Sequence, residues 1–150
     1  MKKIIVLLTA LLICGAVASA QPRAAGVRAG YGVDLSYQHY LGDNFAEFDL
    51  GFGFGKQGFV LTGLYDFIIA SAGSVNVYAG PGAQVGIYNK VNAEGNKYWG
   101  LDFGLAGQIG AEYQFSELPL NISLDWRPVF NFLGQGFGWD SLCLGIRYSF

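Results

Sequence analysis

The stretch CLGIRYSF, residues 143–150, ends the chain and decides how the rest of it is interpreted. Leu144, Ile146, Tyr148 and Phe150 share one parity, and the intervening positions carry cysteine, glycine, arginine and serine. Strict alternation of this kind predicts a β-strand with one apolar face. Because chain ends are usually polar and frayed, an aromatic residue at the last position points to a terminal strand that is built into a sheet.

The opposite end of the chain has the layout of an export signal. Met1-Lys2-Lys3 is followed by an apolar run over 4–17 and by the small residues Ala18-Ser19-Ala20. This order predicts a secretory signal peptide, residues 1–20, that is cleaved after Ala20. We expect residues 21–150 to form one domain. Cys143 would then be the one cysteine left, so no disulfide within the chain is expected.

The composition is unusual for a protein that folds in water. The sequence is 52% hydrophobic and 16% aromatic but only 13% charged, and it contains 23 glycines. A soluble domain carries about 25% charged residues. Yet no stretch after the leader is apolar over the ~20 residues that a membrane-spanning helix needs. A closed β-barrel reconciles these features, because its strands are apolar only at alternate positions. The net charge of −2 without a basic cluster argues against a nucleic-acid partner.

The same alternation recurs along the chain and is separated by turn residues. Alternating runs lie at 27–37, 45–55, 59–69, 75–88, 99–115 and 120–126. Turn signals lie at 41–44, 71–74 and 116–119, and longer connections are expected at 89–97 and 131–139. The pattern predicts an all-β fold, a single antiparallel up-and-down transmembrane β-barrel. About seven runs are clear, whereas bacterial single-chain barrels have an even strand number. We therefore expect about eight strands. A break at Gly30-Tyr31-Gly32 that divides 23–40 into two short strands would supply the eighth, and the sequence leaves this open.

Residue size predicts which face of each strand points inward. One parity carries mostly phenylalanine, tyrosine, tryptophan and leucine, and the other mostly glycine, serine and acidic residues. The lumen of an eight-stranded barrel is only wide enough to be filled by side chains. Small and charged residues fit such an interior, so the aromatic parity should face lipid. A soluble periplasmic ligand-binding barrel, apolar inside, is the weaker alternative.

Three of these sequence motifs resemble motifs of a known protein family. The final GIRYSF resembles the insertion signal of bacterial outer-membrane β-barrels, and FSELPL (115–120) and SLDWRP (123–128) are similar to small barrels of the OmpX/OmpA type from Bacteroidetes-like bacteria. The resemblance implies the outer membrane of a Gram-negative bacterium, with lipid and the barrel-assembly machinery as partners. The machinery would recognise Leu144, Ile146, Tyr148 and Phe150. The fold hosts many activities and does not itself imply one.

The polar parity supplies a candidate network inside the barrel. Unpaired buried charges are costly, so acids and arginines facing a narrow lumen should pair. The predicted network consists of Arg28, Asp49, Asp102, Glu112, Asp125, Arg127 and Arg147. It predicts a plugged lumen, with a narrow channel as the alternative. In particular, Arg127 and Arg147 are expected to reach Asp125 and Glu112 on neighbouring strands.

Catalysis has little support in the sequence. His39 is the only histidine, and Ser36 lies three residues before it, on the opposite face of a strand. A nucleophilic pair must touch, so an outer-membrane acyl hydrolase remains only an alternative. We predict no catalytic residues, no metal site and no cofactor. The favoured role is structural, or an interaction with an unknown partner through the loops at 89–97 and 131–139.

Overall fold

The computed structural model describes residues 22–30, 32–53, 58–133, 136–139 and 141–150. The predicted signal peptide at 1–20 lies outside the described residues, as do Tyr31 and the end of the run predicted at 45–55. In chain order the strands are β1 Arg23–Ala29, β2 Gly32–Leu41, β3 Asn44–Gly53, β4 Gly58–Ala72, β5 Val75–Val91, β6 Lys97–Gln114, β7 Leu120–Trp126, β8 Val129–Asn131, β9 Gly136–Gly138 and β10 Leu142–Ser149. Within these ranges, a helix of the length and hydropathy needed to cross a membrane is absent.

The ten strand segments close into a barrel of eight strands. Each segment from β1 to β6 pairs antiparallel with the next along the chain. Both β7 and β8 pair with β6 and form one barrel strand, interrupted at Arg127 and Pro128. The next barrel strand consists of β9, which pairs with β8, and β10, which pairs with β7. Pairing of β10 with β1 closes the sheet and confirms the predicted up-and-down barrel.

The structure divides 23–40 into two strands, a question that the sequence left open. β1 and β2 form a hairpin in which Arg28 pairs with Asp34 and Ala29 with Val33. β1 has 7 residues, fewer than the ~9–11 of an average spanning strand. The register keeps Arg28 and Asp34 on the same face, so the turn preserves the alternation that runs through the sequence.

The connections divide between two ends of the barrel. One end, called the terminal end, holds the turns at Gly42 and Gly73 and the segment 115–119, at the three positions predicted for turns. Gly42 and Gly73 have φ of 68° and 62°, a conformation that glycine adopts without strain. The start of β1 meets the last residue there, since Arg23 N donates to Phe150 O at 3.0 Å. The opposite end, called the loop end, holds the connection at 92–96 and the one after β8.

The two predicted loops are shorter than expected. β5 continues to Val91 and β6 begins at Lys97, so part of 89–97 is strand. The prediction that 131–139 is a plain loop is wrong, because β9 lies within it. Phe137 pairs with Phe130 across this hairpin, and aromatic cross-strand pairs favour sheet over loop.

The faces of the strands have the predicted orientation. Leu101, Phe103 and Leu105 are 51%, 44% and 59% exposed on the outer surface, whereas Asp102 between them is 6% exposed. The interior also holds a small aromatic cluster near the terminal end. Phe45, an exception to the alternation, lies inside with its ring 5.1 Å from that of Tyr78. The core is therefore mostly polar, with an apolar cluster at one end.

Candidate functional site in the barrel lumen

A layer of charged side chains crosses the lumen and is here called the charged layer. It consists of Arg28, Arg127, Arg147, Glu47, Asp49 and Asp125, each less than one tenth exposed. Inward positions on β1, β3, β7 and β10, together with the interruption after β7, supply these residues. The layer therefore joins strands from opposite sides of the barrel.

Arg28 has the largest number of acidic partners in the charged layer. Its Nη1 donates to Asp49 Oδ2 at 3.0 Å and to Asp34 Oδ2 at 3.1 Å. Its Nη2 donates to Asp125 Oδ1. Its Nε lies 3.6 Å from Glu47 Oε1. Since a guanidinium presents several N–H groups in a fixed plane, one arginine can serve carboxylates from several strands.

Arg127 approaches the same carboxylates from the other side. Its Nη2 lies 2.9 Å from Glu47 Oε1 and 2.6 Å from Asp49 Oδ2. Its Nε donates to Gln108 Oε1 at 2.7 Å. Pro128 follows it and lacks the N–H that a regular strand would use, which is consistent with the interruption of the ladder.

Arg147 completes the layer from β10. Its Nη2 lies 3.1 Å from Glu47 Oε1, and its Nε and Nη1 donate to Ser36 Oγ at 2.9 Å and Ser123 Oγ at 2.8 Å. Glu47 is therefore within ion-pair distance of all three arginines. The predicted network omits Glu47, although its inward parity and its place beside Asp49 in mid-strand are signals that could have included it.

Two members of the predicted network lie apart from the arginines. Within the described residues, neither Asp102 nor Glu112 forms an ion pair with an arginine. Asp125 does pair with an arginine, but the partner is Arg28 rather than Arg127 or Arg147. The physical reason is that these residues lie at different positions along the barrel axis. Parity fixes which face a residue occupies, whereas the register around the closed sheet fixes how far along the lumen it lies.

Glu112 is hydrogen-bonded by uncharged side chains. Together with Glu112 they are called the neutral layer, which consists of Tyr40, Asn76, Glu112, Gln114 and Asn121. Its Oε1 accepts from Gln114 Nε2 at 2.8 Å, Tyr40 Oη at 2.9 Å and Asn76 Nδ2 at 3.2 Å. Its Oε2 accepts from Asn121 Nδ2 at 3.5 Å. This layer lies toward the terminal end, beside the aromatic cluster. The carboxylate there is stabilised by dipoles rather than by a cation.

Inward-facing glycines make room for these long side chains. A Cβ built on Gly110 would stand 2.5 Å from Asp125 Cβ and 2.8 Å from Tyr78 Cζ. A Cβ on Gly145 would stand 3.1 Å from Arg147 Nη1. Large side chains thus pack directly against the backbone of inward-facing glycines. This packing lets a narrow lumen hold arginines and tyrosines. This explains much of the glycine content of the inward parity.

Above the charged layer the lumen widens into a cavity, here called the vestibule. It has a volume of about 1060 Å³ and opens toward the loop end. Arg28 and Arg127 form its floor. Its inward-facing polar and aromatic lining includes Asp34, Thr62, Gln84, Tyr88, Lys90, Tyr98, Asp102 and Asn131.

The residues predicted to form an insertion signal lie on the outer face of the last strand. Leu144, Ile146, Tyr148 and Phe150 are all about half exposed or more. Their backbone joins β10 to β1 and β7, so the terminal strand is also the strand that closes the barrel. Recognition of these side chains by an assembly machinery stays a prediction.

The Ser36–His39 pair has the geometry expected of opposite strand faces. Ser36 is buried in the lumen and accepts a hydrogen bond from Arg147, whereas His39 lies on the outer face, 3.4 Å from Tyr37 Oη through Nδ1. The two side chains are therefore not brought together. In the part of the chain that the structure describes, no group of three or more histidine, cysteine or acidic residues has the arrangement of a metal site.

The closed antiparallel barrel, apolar outside and charged inside, has the architecture of eight-stranded barrels of the outer-membrane type. Among solved structures it is similar to the crystal structure of Neisserial surface protein A, NspA. The TM-score is 0.56, the identity 13%, and the match covers 87% of this chain and 94% of that chain. At this identity the likeness concerns the fold alone. No protein-family model and no curated protein matches the sequence.

Proposed function

We propose that this protein is an outer-membrane β-barrel of a Gram-negative bacterium with a structural or surface-interaction role. The observation that carries the proposal is the apolar outer face. Leucines on four different barrel strands, Leu35, Leu61, Leu101 and Leu144, are each 51–52% exposed. Such a continuous apolar surface would be unfavourable in water, whereas lipid solvates it well. Export by residues 1–20 and insertion through the last strand complete the proposal.

The charged layer supports a plugged barrel rather than a channel. Arg28, Glu47 and Arg147 are at most 1% exposed, and the pair of Arg127 with Glu47 joins β3 to the strand of β7 and β8 on the opposite side of the lumen. An ion crossing the barrel would have to separate these pairs, and breaking buried pairs costs several kcal/mol. The lumen therefore acts as the core that holds the strands together.

A projecting hairpin is the best candidate for surface interaction. In the described residues, pairing between β4 and β5 ends at Gly58 and Tyr88, while β5 and β6 remain paired to Val91 and Lys97. The connecting turn is ordered by Asn92 Oδ1, which accepts the N–H groups of residues 94 and 96 at 3.1 and 2.8 Å. Among the described residues, 89–99 thus form a hydrogen-bonded hairpin at the loop end.

The hairpin carries exposed apolar and aromatic side chains. Val91 and Trp99 are 62% and 60% exposed. Exposed aromatic residues are favourable anchors for a protein partner. Short turns belong to the periplasmic side of outer-membrane barrels, so we assign the terminal end to the periplasm and this hairpin to the outside of the cell.

Conductance and cysteine labelling test the proposal together. The purified barrel in planar bilayers is expected to show no steady ion conductance. In intact cells, Lys97→Cys at the loop end should react with a membrane-impermeant maleimide. Glu117→Cys at the terminal end should not, and the parent, which contains Cys143, gives the background. Reproducible conductance would favour the channel, and labelling of Glu117→Cys alone would reverse the orientation. Recovery of the protein in the soluble periplasmic fraction would overturn the membrane location.

A further inference from the structure

The vestibule contains two carboxylates placed on a nearly bare stretch of sheet. Asp34 pairs with Gly51, Gly51 with Val60, Val60 with Gly86 and Gly86 with Asp102 across β2 to β6. Two of the three residues between the two acids are glycines, Gly51 and Gly86, which leave room for the side chains beside them. This row borders the cavity at both acidic residues.

Asp102 is enclosed but lacks a basic partner among the described residues. It is 6% exposed, and its Oδ1 accepts only a backbone N–H, that of Leu133 at 3.2 Å. Lys90 is the nearest lysine along the inward face of the hairpin, but its chain lies across Gly100 and forms no ion pair with Asp102. A buried carboxylate without a cation is unfavourable, so a cation that enters the vestibule would be stabilised there.

The two described arginines on the vestibule floor are already paired. Arg28 and Arg127 on the floor are bound by carboxylates of the charged layer. Asp34 shares Arg28 through Oδ2 and keeps 23% of its side chain exposed. Its Oδ1 lies over Gly51, on the bare row. Among the described charged residues of the vestibule, Asp34 and Asp102 can therefore accept positive charge, and Lys90 competes with a bound cation.

An aromatic ring lies against the same row. A Cβ on Gly86 would be 2.6–2.9 Å from atoms of the Tyr88 ring, so the ring covers this glycine, which pairs with Asp102. Aromatic faces attract ammonium groups, and the effect increases where water is excluded. A carboxylate beside an aromatic face is a suitable combination for an amine.

We propose that the vestibule binds small organic cations that carry amino groups. Asp102 accepts one ammonium group, Asp34 accepts a second where the ligand has one, and the Tyr88 ring packs against the chain between them. The proposal rests on the cavity and its lining, and it does not depend on the surface role of the projecting hairpin.

Calorimetric titration of the purified, folded barrel in a non-ionic detergent at low salt tests this assignment. The probes are butane-1,4-diamine, butylamine, butane-1,4-diol and butanedioate. We expect saturable binding of the diamine, weaker binding of butylamine, and none of the diol or the dianion. Equal binding of the diol, preference for butanedioate, or no binding of the diamine at millimolar concentration would overturn the proposal.

Variants locate the site. Asp102→Asn should weaken diamine binding by about tenfold, the value of one charge-assisted hydrogen bond. Lys90→Gln should strengthen it by removing a competing positive charge, and Glu117→Gln, at the terminal end, is the matched control and should leave it unchanged. Unchanged affinity in folded Asp102→Asn contradicts the assignment. Should that variant not fold, weaker binding by Lys90→Gln would contradict it and stronger binding would support it.

Discussion

The charged layer and the neutral layer bury carboxylates equally well but stabilise them in different ways. Glu47 is 0% exposed and lies within ion-pair distance of three arginines. Glu112 is 1% exposed, and its described partners are a tyrosine hydroxyl and amide groups. A buried charge thus needs donors of matching geometry, and these donors need not be cations.

The difference has a consequence for tolerance to change. Each arginine of the charged layer serves several carboxylates, so the loss of one cation leaves more than one acid without a partner. The donors of the neutral layer are individually weaker, and an amide side chain can exchange its donor and acceptor ends by rotation. The charged layer should therefore respond strongly to substitution and the neutral layer weakly.

The largest effect is expected for Arg28→Ala. Among the described residues, this change leaves Asp125 and Asp34 without a cationic partner, and Asp49 and Glu47 each lose one of their arginines. Removal of one member of a buried pair costs about 3–5 kcal/mol. Urea unfolding of the barrel in lipid vesicles, followed by tryptophan fluorescence, measures the loss. Adding Asp125→Asn should recover part of it. An unchanged midpoint would mean that the charged layer does not hold the barrel together, and Lys97→Ala is the exposed control.

Phe103→Arg tests whether the barrel tolerates the arginines of the charged layer only because carboxylates surround them. Phe103 lies on the outer face of β6, beside the inward-facing Asp102, and is 44% exposed. An arginine there would face lipid without carboxylates, which costs about 2–4 kcal/mol near the bilayer centre and about 0–1 near its edge. The same unfolding assay should show this loss, whereas Trp99→Arg on the projecting hairpin should change little. Equal effects of the two substitutions would contradict the assigned membrane position.

Apart from β9 and the inward-facing Phe45, the sequence allowed the strands, their faces and the three short turns to be predicted, because these follow from period-two alternation and from local glycine and asparagine residues. It did not allow the partners in the charged layer to be assigned. Arg28 meets Asp125, 97 residues away, through the register of β1 on β10 and of β10 on β7. Closure of the sheet sets that height, and no local pattern encodes it. The vestibule also depends on register, since it needs Gly51 and Gly86 in one row.

Gly110→Ala should have an intermediate effect, and it tests the packing of the charged layer rather than its charges. The new Cβ would stand 2.5 Å from Asp125 Cβ and 2.8 Å from the Tyr78 ring, where the charged layer meets the aromatic cluster. Overpacking of this kind typically costs about 1–3 kcal/mol. Gly63→Ala is the matched control, because its Cβ would meet the Phe48 ring at an ordinary 3.7 Å. Equal midpoints for the two variants would mean that the inward glycines are not required for packing.

The smallest effect is expected for Glu112→Gln, and this prediction tests the comparison most directly. The amide oxygen can occupy the position of Oε1 and keep the hydrogen bonds from Tyr40, Asn76 and Gln114. The amide NH₂ then takes the position of Oε2, opposite Asn121, whose Oδ1 has no hydrogen-bond partner among the described residues. Rotation of the Asn121 amide would present that oxygen as an acceptor, so the new donor would be satisfied.

Removal of the negative charge from this layer also removes the need to stabilise a buried carboxylate without a cation. The net change in the free energy of unfolding should be about 1 kcal/mol or less, the size of one neutral hydrogen bond. Glu112→Leu supplies the contrast: it strands the three donors at Oε1 and should cost more. If Glu112→Gln destabilised the barrel as much as Arg28→Ala, the neutral layer would depend on the negative charge of Glu112, and the distinction between the two layers would fail.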